Sequence, residues 1–344
     1  MRIAVTYGPM CLQRSAEETW NDPRTGSEIG YRRIVEGLRD LGHDARPIHE
    51  DDMRASGCDV VISINEPDML RLYPRAKLRI CMFWLNRFEF CQPGFDDYVD
   101  IYCSPSEAHL KQVLGAWGAQ KPEKWRVIPL GSDPESYRLA GKVPGRVIHC
   151  SSPDRALHRV LEQWPTIKRA APHASLRIFY RLEEWIRAFD ATPYFPSIER
   201  NRNRALYIEE ALKRMSGPEW GIEVRDSVDR VTLARELSEA EVFAFPCETL
   251  AWSEGFSCST LEACAAEACP VLSDCDALGD VYRDLDPVPV GNWDQWRGNV
   301  IRALTDSAFR EYRNKKARAL AEKLTWKAHA QRLDEVIRGR IENK

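Results

Sequence analysis

Short apolar runs alternate along the chain with longer stretches of helical periodicity. Ile3–Tyr7, Val60–Ile64, Leu78–Phe83 and Ile101–Ser104 read as buried strands, and Glu28–Leu41 as a helix stopped by Gly42. Ser106 is placed to cap a helix running through Leu114, with Glu107 in its first turn. Val127-Ile128-Pro129-Leu130-Gly131 predicts a last short strand in this series. Gly141-Lys142-Val143-Pro144-Gly145 then interrupts the pattern and reads as a hinge. A second series follows, with a strand at Arg146–Cys150, a helix at Ala156–Ala171 and a strand at Leu176–Tyr180. A charged, largely helical segment runs from Glu183 to Met215, and Ile222–Arg225, Val242–Phe245 and Pro270–Leu272 complete the strands. From Asp306 onward the pattern is mostly helical and polar. Strands and helices alternating at this interval predict an α/β fold with parallel sheets, in two Rossmann-like halves.

Length and charge sharpen that picture. At 344 residues the chain exceeds the size at which a single core stops growing, ~250–300 residues, which favours two domains. The net charge of −3 leaves no global basic field, so no evident nucleic-acid-binding surface is expected. No apolar run approaches the ~18 residues of a membrane span. Met1-Arg2 leads directly into the first strand, unlike a signal peptide, so a cytoplasmic protein is expected. The eleven cysteines form no Cys-x-x-Cys pair, and Cys264, Cys269 and Cys275 have no histidine nearby. They read as reduced, structural residues, and no metal site is expected.

The richest chemistry lies in Glu254-Gly255-Phe256-Ser257-Cys258-Ser259-Thr260-Leu261-Glu262. Its position after the Val242–Phe245 strand places Glu254 on a loop at a strand's carboxyl end and Glu262 inside the next helix. Ligands bind there in open α/β sheets. Ionised carboxylates accept paired hydrogen bonds from hydroxyl-rich ligands, and Gly255, Phe256 and Ser257 can offer backbone N–H groups at a helix start, which suits a phosphate. The same spacing also fits a surface helix residue and an incidental loop charge. Arg155 follows Ser151-Ser152-Pro153-Asp154. It can aim a guanidinium fork at a diphosphate, with Ser151 or Ser152 capping the following helix, or it can pair locally with Asp154 or Glu162. Gly26 and Ser27 open the first helix, where close backbone approach is possible, but no dinucleotide fingerprint is present. Trp84 at a strand end either lines an acceptor pocket or belongs to the core. Each of the seven histidines, His109 among them, fits a structural role better than a catalytic one.

Taken together, these segments resemble the family 4 retaining glycosyltransferases of the GT-B fold. Glu254-Gly255-Phe256 through Leu261-Glu262-Ala263 resembles the family's Glu-x7-Glu motif. Pro270-Val271-Leu272-Ser273-Asp274 and Ala277-Leu278-Gly279-Asp280-Val281 resemble the segments after it. Arg155 stands at the family's phosphate-binding cation, Gly26-Ser27-Glu28 at its glycine loop, and Thr325-Trp326 at the opening of the last helices. The likeness is dense over residues 146–285 and thin before Ile101. The family commonly has glycine at the place of Ala156 and a glycine-containing turn at Glu267-Ala268-Cys269. Asn86 stands where many members carry a histidine.

The resemblance implies two facing Rossmann-like domains: 1–143 on the acceptor side, 144–325 binding the nucleotide-sugar, and 326–344 as a C-terminal helix crossing back to the first domain. It implies retaining, metal-independent transfer of a hexose-type sugar from a UDP- or GDP-linked donor, with no further cofactor. Glu262 would hold the ribose and Glu254 the donor sugar. Arg155 and the N–H groups of Gly255 to Ser257 would take the charge developing on the leaving diphosphate, with Gly26 and Ser27 also on the donor. Trp84, Asn86 and His109 fall on the acceptor side. The acceptor itself, whether glycan, lipid, small molecule or macromolecule, is not specified. The alternatives are a non-catalytic sugar-nucleotide-binding protein and a GT-B-fold epimerase or phosphorylase.

Overall fold

Runs of apolar residues unbroken by charge form strands that are buried on both faces, and that is how this chain builds its sheets. The computed structural model describes residues 1–7, 26–48, 57–84, 94–117, 121–138, 140–190, 196–248 and 254–342. The chain divides into two compact units. The first comprises Met1–Ser132, Glu254–Cys258 and Lys323–Lys344, and the second Asp133–Ser253 and Ser259–Glu322.

In the first unit, strands β1 (Arg2–Tyr7), β2 (Asp44–Ile48), β3 (Val60–Ile64), β4 (Leu78–Met82), β5 (Ile101–Ser104) and β6 (Trp125–Val127) pair in parallel in the order β2-β1-β3-β4-β5-β6. Helix α1 (Gly26–Asp40) follows β1, and α2 (Glu107–Trp117) follows β5. The strand expected at Val127–Gly131 lies earlier, at Trp125–Val127. Pro129 has no N–H to donate, so the ladder ends after Ile128 N–H meets the Ser104 carbonyl at 2.9 Å. Ser106 caps α2 as expected: its Oγ accepts the His109 N–H at 3.0 Å.

In the second unit the sheet runs β12-β11-β10-β7-β8-β9. Its strands are β7 (Arg146–His149), β8 (Ser175–Phe179), β9 (Ile222–Arg225), β10 (Val242–Phe245), β11 (Cys269–Asp274) and β12 (Val288–Pro289). The helices are α3 (Leu157–Ala170), α4 (Leu182–Asp190), α5 (Pro196–Arg214), α6 (Arg230–Glu239), α7 (Cys258–Ala265), α8 (Leu278–Val281), α9 (Trp293–Thr305) and α10 (Ser307–Lys323). Trp164 and Trp296 fill its core with Leu157, Ile178, Val242 and Val271. The strand order reverses between β7 and β10. That reversal opens a crevice at their carboxyl ends, the usual ligand position in such sheets.

The last helix, α11 (Trp326–Glu342), belongs to the first unit and packs on α1. Small residues make the approach possible. A Cβ on Gly37 would lie 2.6 Å from the Ala330 Cβ, and one on Gly30 would meet the Trp84 ring at 2.7 Å. Just before α11, Thr325 forms a parallel bridge with Ser132; Ser132 N–H bonds the Leu324 carbonyl at 3.0 Å and Trp326 N–H the Ser132 carbonyl at 3.2 Å. At the adjoining Gly131, a Cβ would sit 2.3 Å from the Trp326 backbone nitrogen, a group that cannot swing away. Gly131→Ala is therefore expected to cost about 1–3 kcal/mol, as overpacking does, with the loss read as a lower urea midpoint at unchanged slope.

Candidate active site

Three elements of the second unit converge on one carboxylate. Glu262, in the second turn of α7, is buried at 8% exposure. Arg230 Nη2 donates to its Oε1 in a short contact, and Nη1 lies 3.5 Å from Oε2. The same Nη2 donates to the Tyr137 hydroxyl at 2.5 Å. Tyr137 ends a 3₁₀ turn, Pro134–Tyr137, whose last carbonyl accepts the Ser238 hydroxyl. Burial, together with the charge and hydrogen bond of Glu262, raises the Tyr137 phenol well above its ordinary pKa, so it stays a donor. Burial first and Glu262 second also push up the Cys150 thiol just after β7, which keeps it neutral.

Arg155 lies on a short turn, Pro153–Arg155, between β7 and α3. Its Nε is 3.6 Å from the Asp154 carboxylate, the local pairing that the sequence left open, while Glu162 is taken by Arg159 at 2.7 Å. The expected Ser151 or Ser152 cap on α3 is not formed. Pro153 holds Ser152 in an extended conformation, its hydroxyl goes to Asp154, and α3 starts one residue later from Ala156 in the left-handed region at φ 76°.

The motif loop, Glu254–Cys258, belongs to the first unit. Glu254, Phe256 and Ser257 are buried at 7%, 3% and 5% exposure. Ser106, while capping α2, donates its hydroxyl to the Gly255 carbonyl at 2.8 Å. Gly26 faces Cys258, whose Sγ would be 3.3 Å from a Cβ there, and Ser27 follows in the first turn of α1. Ser257 has φ 73°, and α7 begins at the next residue. Left-handed non-glycine residues thus stand directly before both α3 and α7, and Glu267, at φ 56°, repeats the conformation after α7. Strain of this kind, ~1–2 kcal/mol per residue, tends to collect at ligand sites. It also explains why glycine suits the positions of Ala156 and Glu267.

The residues expected on the acceptor side separate. His109 is fully buried. Ser104 gives its hydroxyl hydrogen to the Ser106 carbonyl at 3.0 Å, so in the 2.7 Å contact between Ser104 Oγ and His109 Nδ1 the imidazole is the donor. His109 thereby braces the Ser104–Ser106 turn. Trp84 packs over Gly30, its backbone N–H bonded to Asn65 Oδ1 at 2.8 Å and its ring set edgewise to His329. Asn86 lies outside the described residues.

Sequence reasoning missed Arg230 and Tyr137. One signal was present: Asp229 is a helix cap, and a cation directly after it opposes the helix dipole, which suggests that Arg230 is held there by another group. It also missed Glu248, at the start of the stretch leading from β10. Arg159 Nε and Arg204 Nη2 donate to its carboxylate at 2.7 and 3.1 Å, and His158 lies 3.5 Å away. Arg204 also binds the Asp154 carbonyl at 2.9 Å. Burial alone would raise the Glu248 pKa, but hydrogen bonds from His158 and Arg159 outweigh it and hold the group at about 2. Among the described residues, no His, Cys, Asp and Glu group is placed to hold a metal, no helix is long and apolar enough to cross a membrane, and nine cysteines are free.

Comparisons with known proteins fit this geometry. Residues 216–320 match the family described as Glycosyl transferases group 1, which takes in α6, β10 and α7. AviGT4, a glycosyltransferase involved in avilamycin A biosynthesis, aligns with 16% identity over 100% of this chain and 99% of its own, at a TM-score of 0.67. Sucrose-phosphate synthase from Thermosynechococcus elongatus aligns over the whole of both chains with 12% identity and a TM-score of 0.71. Anabaena HepE, solved in complex with UDP-glucose, covers 98% of this chain and 100% of its own with 10% identity and a TM-score of 0.69. No protein of curated function matches in sequence. The chain has the GT-B fold of these proteins, and residues 216–320 match a glycosyltransferase family.

Removing the Glu248 charge leaves two arginines facing a neutral amide. Glu248→Gln is expected to cost about 3 kcal/mol at pH 7, at the lower end for breaking a buried ion pair. A depressed carboxylate contributes its stability above the ordinary pKa of 4.5 and loses it as pH falls toward about 2. Denaturation curves of wild type and variant should therefore differ fully at neutral pH and draw together below pH 4.5.

Proposed function

We propose that the chain is a family 4 retaining glycosyltransferase that moves a hexose-type sugar from a UDP- or GDP-linked donor to an acceptor hydroxyl. The observation that carries this reading is Glu262. It is a buried carboxylate held by Arg230, itself tied to Tyr137, and it is set on the helix after β10 beside the strand-order reversal, within the segment that matches group 1. HepE was solved with UDP-glucose, which makes UDP the first base to test.

In this reading Glu262 accepts hydrogen bonds from the ribose hydroxyls and Glu254 from hydroxyls of the donor sugar. The bond from the anomeric carbon to the diphosphate breaks, and negative charge collects on the leaving oxygen. Arg155 and the N–H groups of Gly255, Phe256 and Ser257, with Gly26 and Ser27 alongside, are the groups assigned to that charge. Donors fixed in advance where charge appears are often the largest catalytic term. A guanidinium supplies the positive charge that a metal supplies in other enzymes, so the proposal needs no metal and no cofactor beyond the nucleotide-sugar. The setting proposed is the cytoplasm, where thiols such as the nine free cysteines stay reduced.

Two outcomes test the roles in a nucleotide-release assay with UDP- and GDP-sugars. Glu262→Ala should raise KM and weaken nucleotide binding, whereas Glu254→Ala should mainly lower kcat; unchanged nucleotide affinity in the Glu262 variant contradicts the ribose role. Arg155→Ala should cost about 2–4 kcal/mol of transition-state stabilisation, as deletion of a single oxyanion donor does. A change smaller than about threefold in kcat/KM removes Arg155 from the diphosphate site.

A further inference from the structure

Arg230 takes the first position of α6, where unpaired N–H groups make the local field positive and a cation unfavourable. The helix start does not need it there. Asp229 already caps the helix, accepting the Thr232 N–H at 2.9 Å and the Thr232 hydroxyl at 2.6 Å. The guanidinium turns instead to Glu262 and to the Tyr137 hydroxyl. Arg230 thereby ties the Glu262 carboxylate to the Tyr137 hydroxyl.

A carboxylate offers about four lone-pair positions. Arg230 Nη2 takes one. The second guanidinium contact, at 3.5 Å, is too long to hold another firmly. The positions left over are enough for a vicinal diol, which fills two. Without its cation the side chain would be a buried anion stripped of its ion-pair partner, and it would reorient.

We propose that Arg230 and Tyr137 are positioning residues for nucleotide recognition. They hold the Glu262 carboxylate oriented so that its open lone pairs meet the 2′,3′-diol of a ribonucleotide and disfavour the 2′-deoxy form. This inference rests on the ribose role given to Glu262 above.

The test is calorimetric binding of UDP, GDP and their 2′-deoxy counterparts to wild type, Arg230→Gln, Arg230→Lys, Tyr137→Phe and Glu262→Gln. Wild type should prefer the ribonucleotide by about tenfold, the value of one hydrogen bond to a charged group. Arg230→Gln should weaken the ribonucleotide by about tenfold and leave the deoxynucleotide nearly unchanged, so that the preference disappears. Arg230→Lys should restore part of the preference, and Tyr137→Phe should lower it without abolishing it. Equal losses for both sugars in Arg230→Gln, or tighter ribonucleotide binding, overturn the positioning role. The first points to a contact elsewhere on the nucleotide and the second to an ion pair that competes with the ligand. Ribonucleotide affinity unchanged in Glu262→Gln, or no nucleotide bound by wild type, overturns the ribose reading itself and the inference with it.

Discussion

A buried carboxylate needs donors in place of the water it has lost, and Glu262 has its donor from another element, Arg230, which the Tyr137 hydroxyl holds in turn. That requirement fixes more than one side chain. The start of α6 must carry Arg230 despite the helix field, and Asp229 must cap it independently. The turn Pro134–Tyr137 must present its phenol, and Ser238 holds that turn through its last carbonyl. Because β7 and β10 are neighbours where the strand order reverses, the segments that leave them share the crevice in which a ligand of such a sheet binds. Neutral Cys150, also sensitive to Glu262, adds no competing charge.

Caps and turns do a second job in this molecule. Ser106 completes the first turn of α2 and also takes the Gly255 carbonyl, while His109 braces the turn behind it. Glu248 gathers Arg159, Arg204 and His158 at the end of β10. Left-handed Ala156 and Ser257 each stand directly before a helix start.

Much of the fold was legible in the sequence because its central strands are buried on both faces. Val60–Ile64 and Val242–Phe245 are short runs unbroken by charge and buried at every position. Strand β2 was not legible: Asp44-Ala45-Arg46-Pro47-Ile48 alternates in burial and carries a proline that only an edge position tolerates. Strand β12, two residues long, leaves no pattern at all. In the site, Glu254 and Glu262 stood out through spacing and flanks. Arg230 left only the trace of a cation at a capped helix start. Tyr137 left none, since nothing local ties a tyrosine on a short turn to an arginine far along the chain. The departures at Ala156 and Glu267 could be noticed in the sequence, but their meaning needed the backbone angles.

The central claim is that this chain binds a nucleotide-sugar through a ribose-directed carboxylate. The most direct measurement is thermal unfolding against a panel of UDP-, GDP- and ADP-sugars. A UDP- or GDP-sugar at about 100 times its dissociation constant should add about 2.7 kcal/mol and raise Tm by several degrees. No shift with any nucleotide-sugar of the panel would contradict the account.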